Sequence, residues 1–358
     1  MFKVCIISCG MITNSAHIPA YRHFSDNFFI SAVSDINETA AKETAKRHNI
    51  PKYYTDAEQM LKNEKPDIVS VCVPNCLHKE YTLMALNYGA NVLCEKPLAF
   101  TKKDAEEMFD CARKNNKLLV ACQSMRFTPD RLAAKEYIKN NGLGEIYYGE
   151  LSRIRRRGIP YWGSFHIKNI SCGGAFVDIG VHMLDSLVWL MGNVKVKSVN
   201  AVTMQNHKDE LGTLTSSGAL TGKVHIQRRF NPDEMDVEDF CCGTVSFKNG
   251  AMVNFKVAWA ANMPEESSIR IIGKKSGIAV PECKIYEGEN NIKTLNTTPC
   301  IYESVFPGHI YIADNLRRVL NGEQDLIIKP EETINVSHII ELTYKSAQLG
   351  KEVYADEI

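Results

Sequence analysis

Short apolar runs recur through the first third of the chain, each followed by a stretch of helix formers. The runs are Phe2–Ile7, Phe28–Asp35, Asp67–Val73, Ala90–Cys94 and Lys117–Cys122. Between them lie Glu38–Asn49, Ala57–Asn63, Lys79–Tyr88 and Lys102–Asn115. Because the runs are apolar throughout rather than alternating, both faces of each strand need covering. A parallel sheet with helices on both sides meets that demand. Such a sheet takes ligands beyond the carboxyl ends of its strands.

The first strand ends in Ser8-Cys9-Gly10-Met11-Ile12-Thr13. Set against the dinucleotide fingerprint GxGxxG, Gly10 is the middle glycine, the one that lets backbone approach a pyrophosphate. Ser8 stands where the tight-turn glycine is expected and Thr13 where the helix-packing glycine is expected. The second strand ends at Asp35, 25 residues after Gly10. A carboxylate there can accept hydrogen bonds from ribose hydroxyls and repels a 2′-phosphate, which favours NAD over NADP. The fourth strand–turn, Val73-Pro74-Asn75-Cys76-Leu77-His78, puts Asn75 and His78 at the same sheet edge.

Composition excludes several classes of partner. Lys+Arg and Asp+Glu each number 42 among 358 residues, so no net field draws the chain to nucleic acid or an anionic membrane. The run Arg153-Ile154-Arg155-Arg156-Arg157 is a local exception, readable either as a strand with solvated arginines or as an anion or substrate contact. Met1-Phe2-Lys3-Val4 enters a strand pattern at once, and no apolar stretch approaches the ~20 residues of a membrane span. A cytoplasmic protein without a signal peptide is expected. Of the 12 cysteines, Cys5, Cys72, Cys94 and Cys122 sit in separate apolar runs, as small buried hydrophobes do. There is no CxxC pair and Cys241-Cys242 are adjacent, so no metal site is expected.

Two further motifs carry chemistry. Cys94-Glu95-Lys96-Pro97 closes an apolar run, and Gly173-Gly174-Ala175-Phe176-Val177-Asp178-Ile179-Gly180-Val181-His182 follows about eighty residues later. On a helix, Asp178 and His182 share one face. A lysine, an aspartate and a histidine together can take the proton of an alcohol. Asp185 would extend the pair toward a metal pattern, but no other ligand cluster accompanies it, and it reads as a structural helix residue.

In these motifs, and in Ser346-Ala347-Gln348-Leu349-Gly350-Lys351 near the C-terminus, the chain resembles the Gfo/Idh/MocA oxidoreductases. The resemblance implies an α/β Rossmann domain, here about residues 1–123. An α+β domain with a large, mostly antiparallel open sheet follows, about residues 124–358. Strands are expected at Ile146–Arg157, Val194–Met204, Asp239–Phe247, Met252–Ala260 and Ser268–Ile272, with Lys248-Asn249-Gly250 a hairpin turn and Ala175–Met191 a helix. Two more helices are expected from Pro307 onward, and Gly212–Gly222 reads as an irregular insertion. The open sheet implies a homo-oligomer, a dimer or tetramer.

The resemblance also implies NAD as cofactor and a sugar or cyclitol as substrate. His182 is then the general base, Lys96 stabilises developing alkoxide charge while reaching cofactor and substrate, and Asp178 bonds a neighbouring hydroxyl. Ser8, Gly10, Met11, Ile12, Asp35, Pro74, Asn75, His78, Glu95, Lys96, Gln123 and Trp162 are the expected cofactor contacts. Arg126, Arg155, Tyr161 and His309 join Lys96, Asp178 and His182 as expected substrate contacts. The segment from Arg155 to Gly163 is similar to the branch acting on pyranosides, where oxidation at ring carbon three is common. The alternatives are an inositol dehydrogenase, an enzyme that retains NAD through a transient oxidation, and a non-catalytic NAD sensor.

Overall fold

The computed structural model describes residues 1–160, 163–208, 231–289, 292–296 and 308–358. The first sheet comprises β1 (Phe2–Ile7), β2 (Phe28–Ser34), β3 (Lys52–Tyr54), β4 (Ile68–Val71), β5 (Asn91–Cys94) and β6 (Leu119–Ala121). They lie parallel in the order β3-β2-β1-β4-β5-β6. The order reverses beside β1, and the crevice beyond the carboxyl ends there is where such sheets take ligands. Crossover helices α1 (Ile18–His23), α2 (Glu38–Arg47), α3 (Ala57–Glu64), α4 (His78–Asn87) and α5 (Lys102–Lys114) cover it. Three start where local chemistry stops the strand-to-helix loop: the side chains of Asn37, Asp56 and Thr101 accept the backbone N–H of Ala40, Gln59 and Asp104. The short, largely exposed β3 was not evident in the apolar pattern, because an edge strand of three residues has no buried run to show.

After α6 (Pro129–Lys139) comes β7 (Ile146–Ile154), then α7 (Lys168–Ser171) and α8 (Val181–Leu190). The second sheet adds β8 (Val196–Met204), β9 (Phe240–Phe247), β10 (Met252–Ala258), β11 (Glu266–Gly273), β12 (Ser276–Val280), β13 (Lys284–Glu289) and β14 (Ile292–Asn296). Two helices, α9 (Gly308–Leu320) and α10 (Pro330–Leu349), precede the closing β15 (Val353–Tyr354). The sheet order is β14-β13-β12-β11-β7-β10-β9-β8-β15, antiparallel except between β7 and β10. Gly250 turns the β9–β10 hairpin with φ +87°. One face of this sheet packs under α8, and α9 returns to the first sheet, whose core takes Ile312, Ala313 and Leu316.

Three sequence expectations change. The run Lys168–Leu190 is long and apolar enough to cross a membrane, but 89% of its most apolar window is buried inside the fold. β7 stops at Ile154 rather than Arg157, so face alternation does not extend to the arginines beyond it. Arg126, expected in the cleft, is instead fully buried: Nε and Nη2 donate to Asp185 at 2.7 and 2.6 Å, and Nη1 donates to Glu332. Asp185 is thus the structural helix residue its setting suggested. The pair clamps α8 to α10 through the turn after β6. Removing one partner from a buried ion pair strands the others, so Arg126→Leu should cost about 3–5 kcal/mol in urea unfolding.

Candidate active site

The fingerprint turn keeps its shape without its first glycine. Ser8 adopts the left-handed conformation, φ +80°, at a strain of roughly 1–3 kcal/mol. The Thr13 hydroxyl donates to the Ser8 carbonyl at 2.8 Å, which helps hold it there. At Gly10 an added Cβ would meet nothing nearer than Ser8 Oγ at 3.8 Å, leaving the backbone open to a close ligand. Met11 and Ile12, half-buried, follow at the start of the helix. Asp35 is fixed by two backbone donors, Cys9 N–H at 2.8 Å and Asn37 N–H at 2.9 Å. A cavity of about 390 Å³ beside it is lined by Ser8, Asp35, Pro74, Leu77 and Tyr81, at the carboxyl ends of β1, β2 and β4. This edge has the shape and donors to hold a dinucleotide.

Lys96 follows β5 and crosses to the second domain. Its Nζ donates to the Asp178 carbonyl at 2.8 Å and lies 3.4 Å from Asp178 Oδ1. Asp178 sits in a π-helical turn, Phe176–Gly180, that runs directly into α8. Such single wide turns concentrate at functional sites. The indole N–H of buried Trp259 donates to Asp178 Oδ2 at 2.9 Å, so both carboxylate oxygens are oriented. Glu238 anchors the start of this turn, accepting Gly174 N–H at 2.9 Å, Phe176 N–H at 3.0 Å and the Tyr344 hydroxyl at 2.7 Å. A Cβ at Gly174 would lie 1.9 Å from the Glu238 carbonyl, which is why a glycine must stand there. His182 follows in the first turn of α8. Burial, then the charge of Lys96, holds its imidazole well below the ordinary value, so the ring is neutral at pH 7, with a buried Nδ1 that has no partner among the described residues.

Several expected contacts turn inward. Glu95 faces the protein rather than the cofactor: Oε1 accepts from His17 Nε2 at 2.9 Å and His309 Nε2 at 3.1 Å, and Oε2 from Lys96 N–H at 3.2 Å. Burial alone would raise its pKa, but the two imidazoles more than offset this and keep it well below the usual carboxylate range. With Cys122, these residues bring four ligand-type atoms within 4.8 Å of one another, a cluster the sequence does not foreshadow. Direct hydrogen bonds to Glu95 already close it as a carboxylate cage. His78 is likewise buried rather than lining the cleft, its ring nitrogens 2.7 Å from the Pro97 carbonyl and 3.0 Å from the Val73 carbonyl. It braces the loops beside Lys96. The Asn75 amide donates to the Ser171 carbonyl at 2.7 Å, joining the two domains. Gln123 is buried at the end of β6.

On the second domain, Arg155 is half-buried and donates to the Gly158 carbonyl at 3.3 Å, while Arg157 donates to Asn262 Oδ1 at 2.7 Å. His309, held by Glu95, keeps a partly exposed ring. Tyr161, Trp162 and the Gly212–Gly222 stretch lie outside the described residues. Sequence reasoning missed Glu238, Trp259 and His17, which left no local signal. It named Arg153 only as part of the basic run, without separating it from the arginines beyond β7.

A family described as oxidoreductases with an NAD-binding Rossmann fold matches residues 2–122, and that family's C-terminal alpha/beta domain matches residues 135–354. The chain belongs to the Gfo/Idh/MocA oxidoreductases. The oxidoreductase is 33% identical to the D-glucoside 3-dehydrogenase of Escherichia coli (strain K12), over 98% of this chain and 97% of that one. It is 27% identical to a scyllo-inositol 2-dehydrogenase (NADP(+)) of Bacillus subtilis (strain 168), over 74% of this chain and 80% of that one. Among solved structures, levoglucosan dehydrogenase in complex with NADH and levoglucosan superposes with a TM-score of 0.81 at 20% identity, covering 99% of both chains.

Two measurements check this site. Gly10→Ala should leave thermal unfolding of the oxidoreductase near wild type, since its Cβ meets only Ser8 Oγ at an ordinary contact distance of 3.8 Å, yet weaken NAD binding by at least about tenfold in calorimetric titration. In NMR titration the His182 ring should protonate well below pH 6.5, and Lys96→Met should move that midpoint upward, because a neighbouring cation disfavours imidazolium.

Proposed function

We propose that the oxidoreductase removes a hydride and a proton from a secondary ring hydroxyl of a sugar or glycoside, at carbon three of a pyranose, giving the 3-keto sugar. The observation that carries this reading is the contact of Lys96 with Asp178 at the NAD-binding edge, with His182 one helical turn further on. The likeness to D-glucoside 3-dehydrogenase along nearly the whole chain supports the choice of ring and carbon.

Bound NAD supplies the hydride acceptor, with Ser8, Gly10 and Asp35 as its holding edge. The chain's own task is the proton. Neutral His182 accepts it from the substrate hydroxyl, and its low pKa keeps it competent well below pH 6.5. Lys96 stabilises the charge building on that oxygen, and Asp178 fixes the ammonium while accepting from the adjacent hydroxyl. Tight imidazole bonds to Glu95 keep the lysine's backbone in place. Asp35, with both oxygens oriented by backbone donors, favours NAD over NADP. An inositol is the second reading, favoured by the scyllo-inositol relative, since a cyclitol offers the same array of hydroxyls. Copies of the chain associate through the open second sheet, whose outer face exposes Val202, Met204, Met252 and Ile272.

A panel of glucosides, free sugars and inositols mixed with NAD or NADP, read as reduced-cofactor absorbance, checks the assignment. Glucosides should respond with NAD, and NMR of the product should locate the ketone at carbon three. Lys96→Met should lower kcat/KM by roughly a hundredfold or more. Response to inositols alone would replace the pyranoside reading with the cyclitol one.

A further inference from the structure

Arg153 is the last residue of β7 on the face that packs beneath α8. Gly149 and Leu151 precede it on that face; a Cβ at Gly149 would touch Val253, Met191 and Leu187. Across the ladder Arg153 stands beside Val257 of β10 and Ser267 of β11. Val257 lies directly under Gly180, within 3.0 Å of where a Cβ there would be, and two residues later Trp259 donates to Asp178. The guanidinium therefore emerges under the Asp178–His182 turn, at the floor of the cleft.

Its surroundings are short of negative charge. Arg153 is half-buried and makes no hydrogen bond or ion pair among the described residues. Arg155 follows it, with Gly158 O as its only acceptor among the described residues, and Arg131 lies behind, bonded to Ser186, Thr128 and Asp130. Burial, then Arg155 and Arg131, pulls its proton affinity down, while Glu265 and Asp178 act the other way. Glu265 is exposed, and Asp178 is already engaged by Lys96 and Trp259. Within the cleft, Lys96 and Arg153 thus share the Asp178 carboxylate, and Arg155 adds a further cation beside them. A neutral hydroxyl can accept from a guanidinium but leaves its charge uncompensated, whereas a carboxylate or phosphate matches its fork and its charge.

We propose that Arg153, with Arg155 beside it, receives an oxyanion on the substrate ring, so that the preferred substrate is an acidic glycoside: a uronide, or a glycoside phosphorylated at its exocyclic carbon. This deepens the glycoside reading and rests on it. The site selects by charge at one end of the ring while Lys96, Asp178 and His182 act at the other.

Initial rates of NADH formation by the full chain with three matched substrates test it: methyl β-glucoside, methyl β-glucosiduronic acid and methyl β-glucoside 6-phosphate. One acidic substrate should exceed the neutral glucoside in kcat/KM by at least about tenfold, chiefly through a lower KM. Which of the two responds identifies the oxyanion. R153Q should collapse that preference to within about threefold. R155Q, on a loop outside the strand, should reduce it by a smaller factor and serves if R153Q does not fold. Oxidation of the neutral glucoside at an equal or higher rate, with its ratio to the acids unmoved in either variant, overturns the inference and leaves the glycoside reading standing. Oxidation of none of the three removes both.

Discussion

The contact between Lys96 and Asp178 depends on nearly everything else in the molecule. The lysine follows a strand of the first sheet and the aspartate sits in the turn that opens the core helix of the second, 82 residues apart. An ammonium donating at once to a carbonyl and toward its own carboxylate forms only if both elements arrive at fixed depth. Behind Lys96, Glu95 is held by His17 from the first helix and His309 from a late one. Behind Asp178, Trp259 and Glu238 orient the side chain and the start of its turn. The cleft is an assembly of five or more chain segments around one hydrogen-bonded charge pair.

Burial sets the electrostatics of that assembly. A low-dielectric surrounding makes each charge costly unless it is paired and strengthens every pair that forms. Glu95 meets the demand with two imidazoles, and Arg126 with two carboxylates. His182 meets it by staying neutral, which is also the state in which it can accept a proton. The same burial pushes the Cys5, Cys9 and Cys94 thiols up to about 12, so these cysteines pack as small hydrophobes in the first core.

Much of this was legible in residue order. Continuous apolar runs specify strands covered on both sides, and five of the six parallel strands fall inside the runs read from sequence. The spacing of Asp178 and His182 specifies one helical face, because that depends on neighbours along the chain. Strand ends were less legible. β7 stops three residues short of its apolar and basic pattern because Gly158 and the bridge at Arg157 and Ala260 turn the chain there. Arg153 still lies in the ladder, opposite the Val257 that packs against Gly180, whereas Arg155 lies beyond the strand.

Sequence by itself determined the parallel sheet, the dinucleotide turn and the residue types able to move a proton, since each rests on periodicity or local backbone chemistry. Tertiary structure alone decided which polar groups face the cleft and which brace it. Arg126 and His78 look available in the sequence and are buried with their hydrogen bonds taken. His17, Glu238 and Trp259 look ordinary and hold the segments that carry Lys96 and Asp178. The physical reason is that a side chain's role depends on where its polar atoms are desolvated and by whom they are met. Those partners lie 59 to 206 residues away for Arg126 and 62 to 81 away for the supports of the Asp178 turn, beyond the reach of any local pattern.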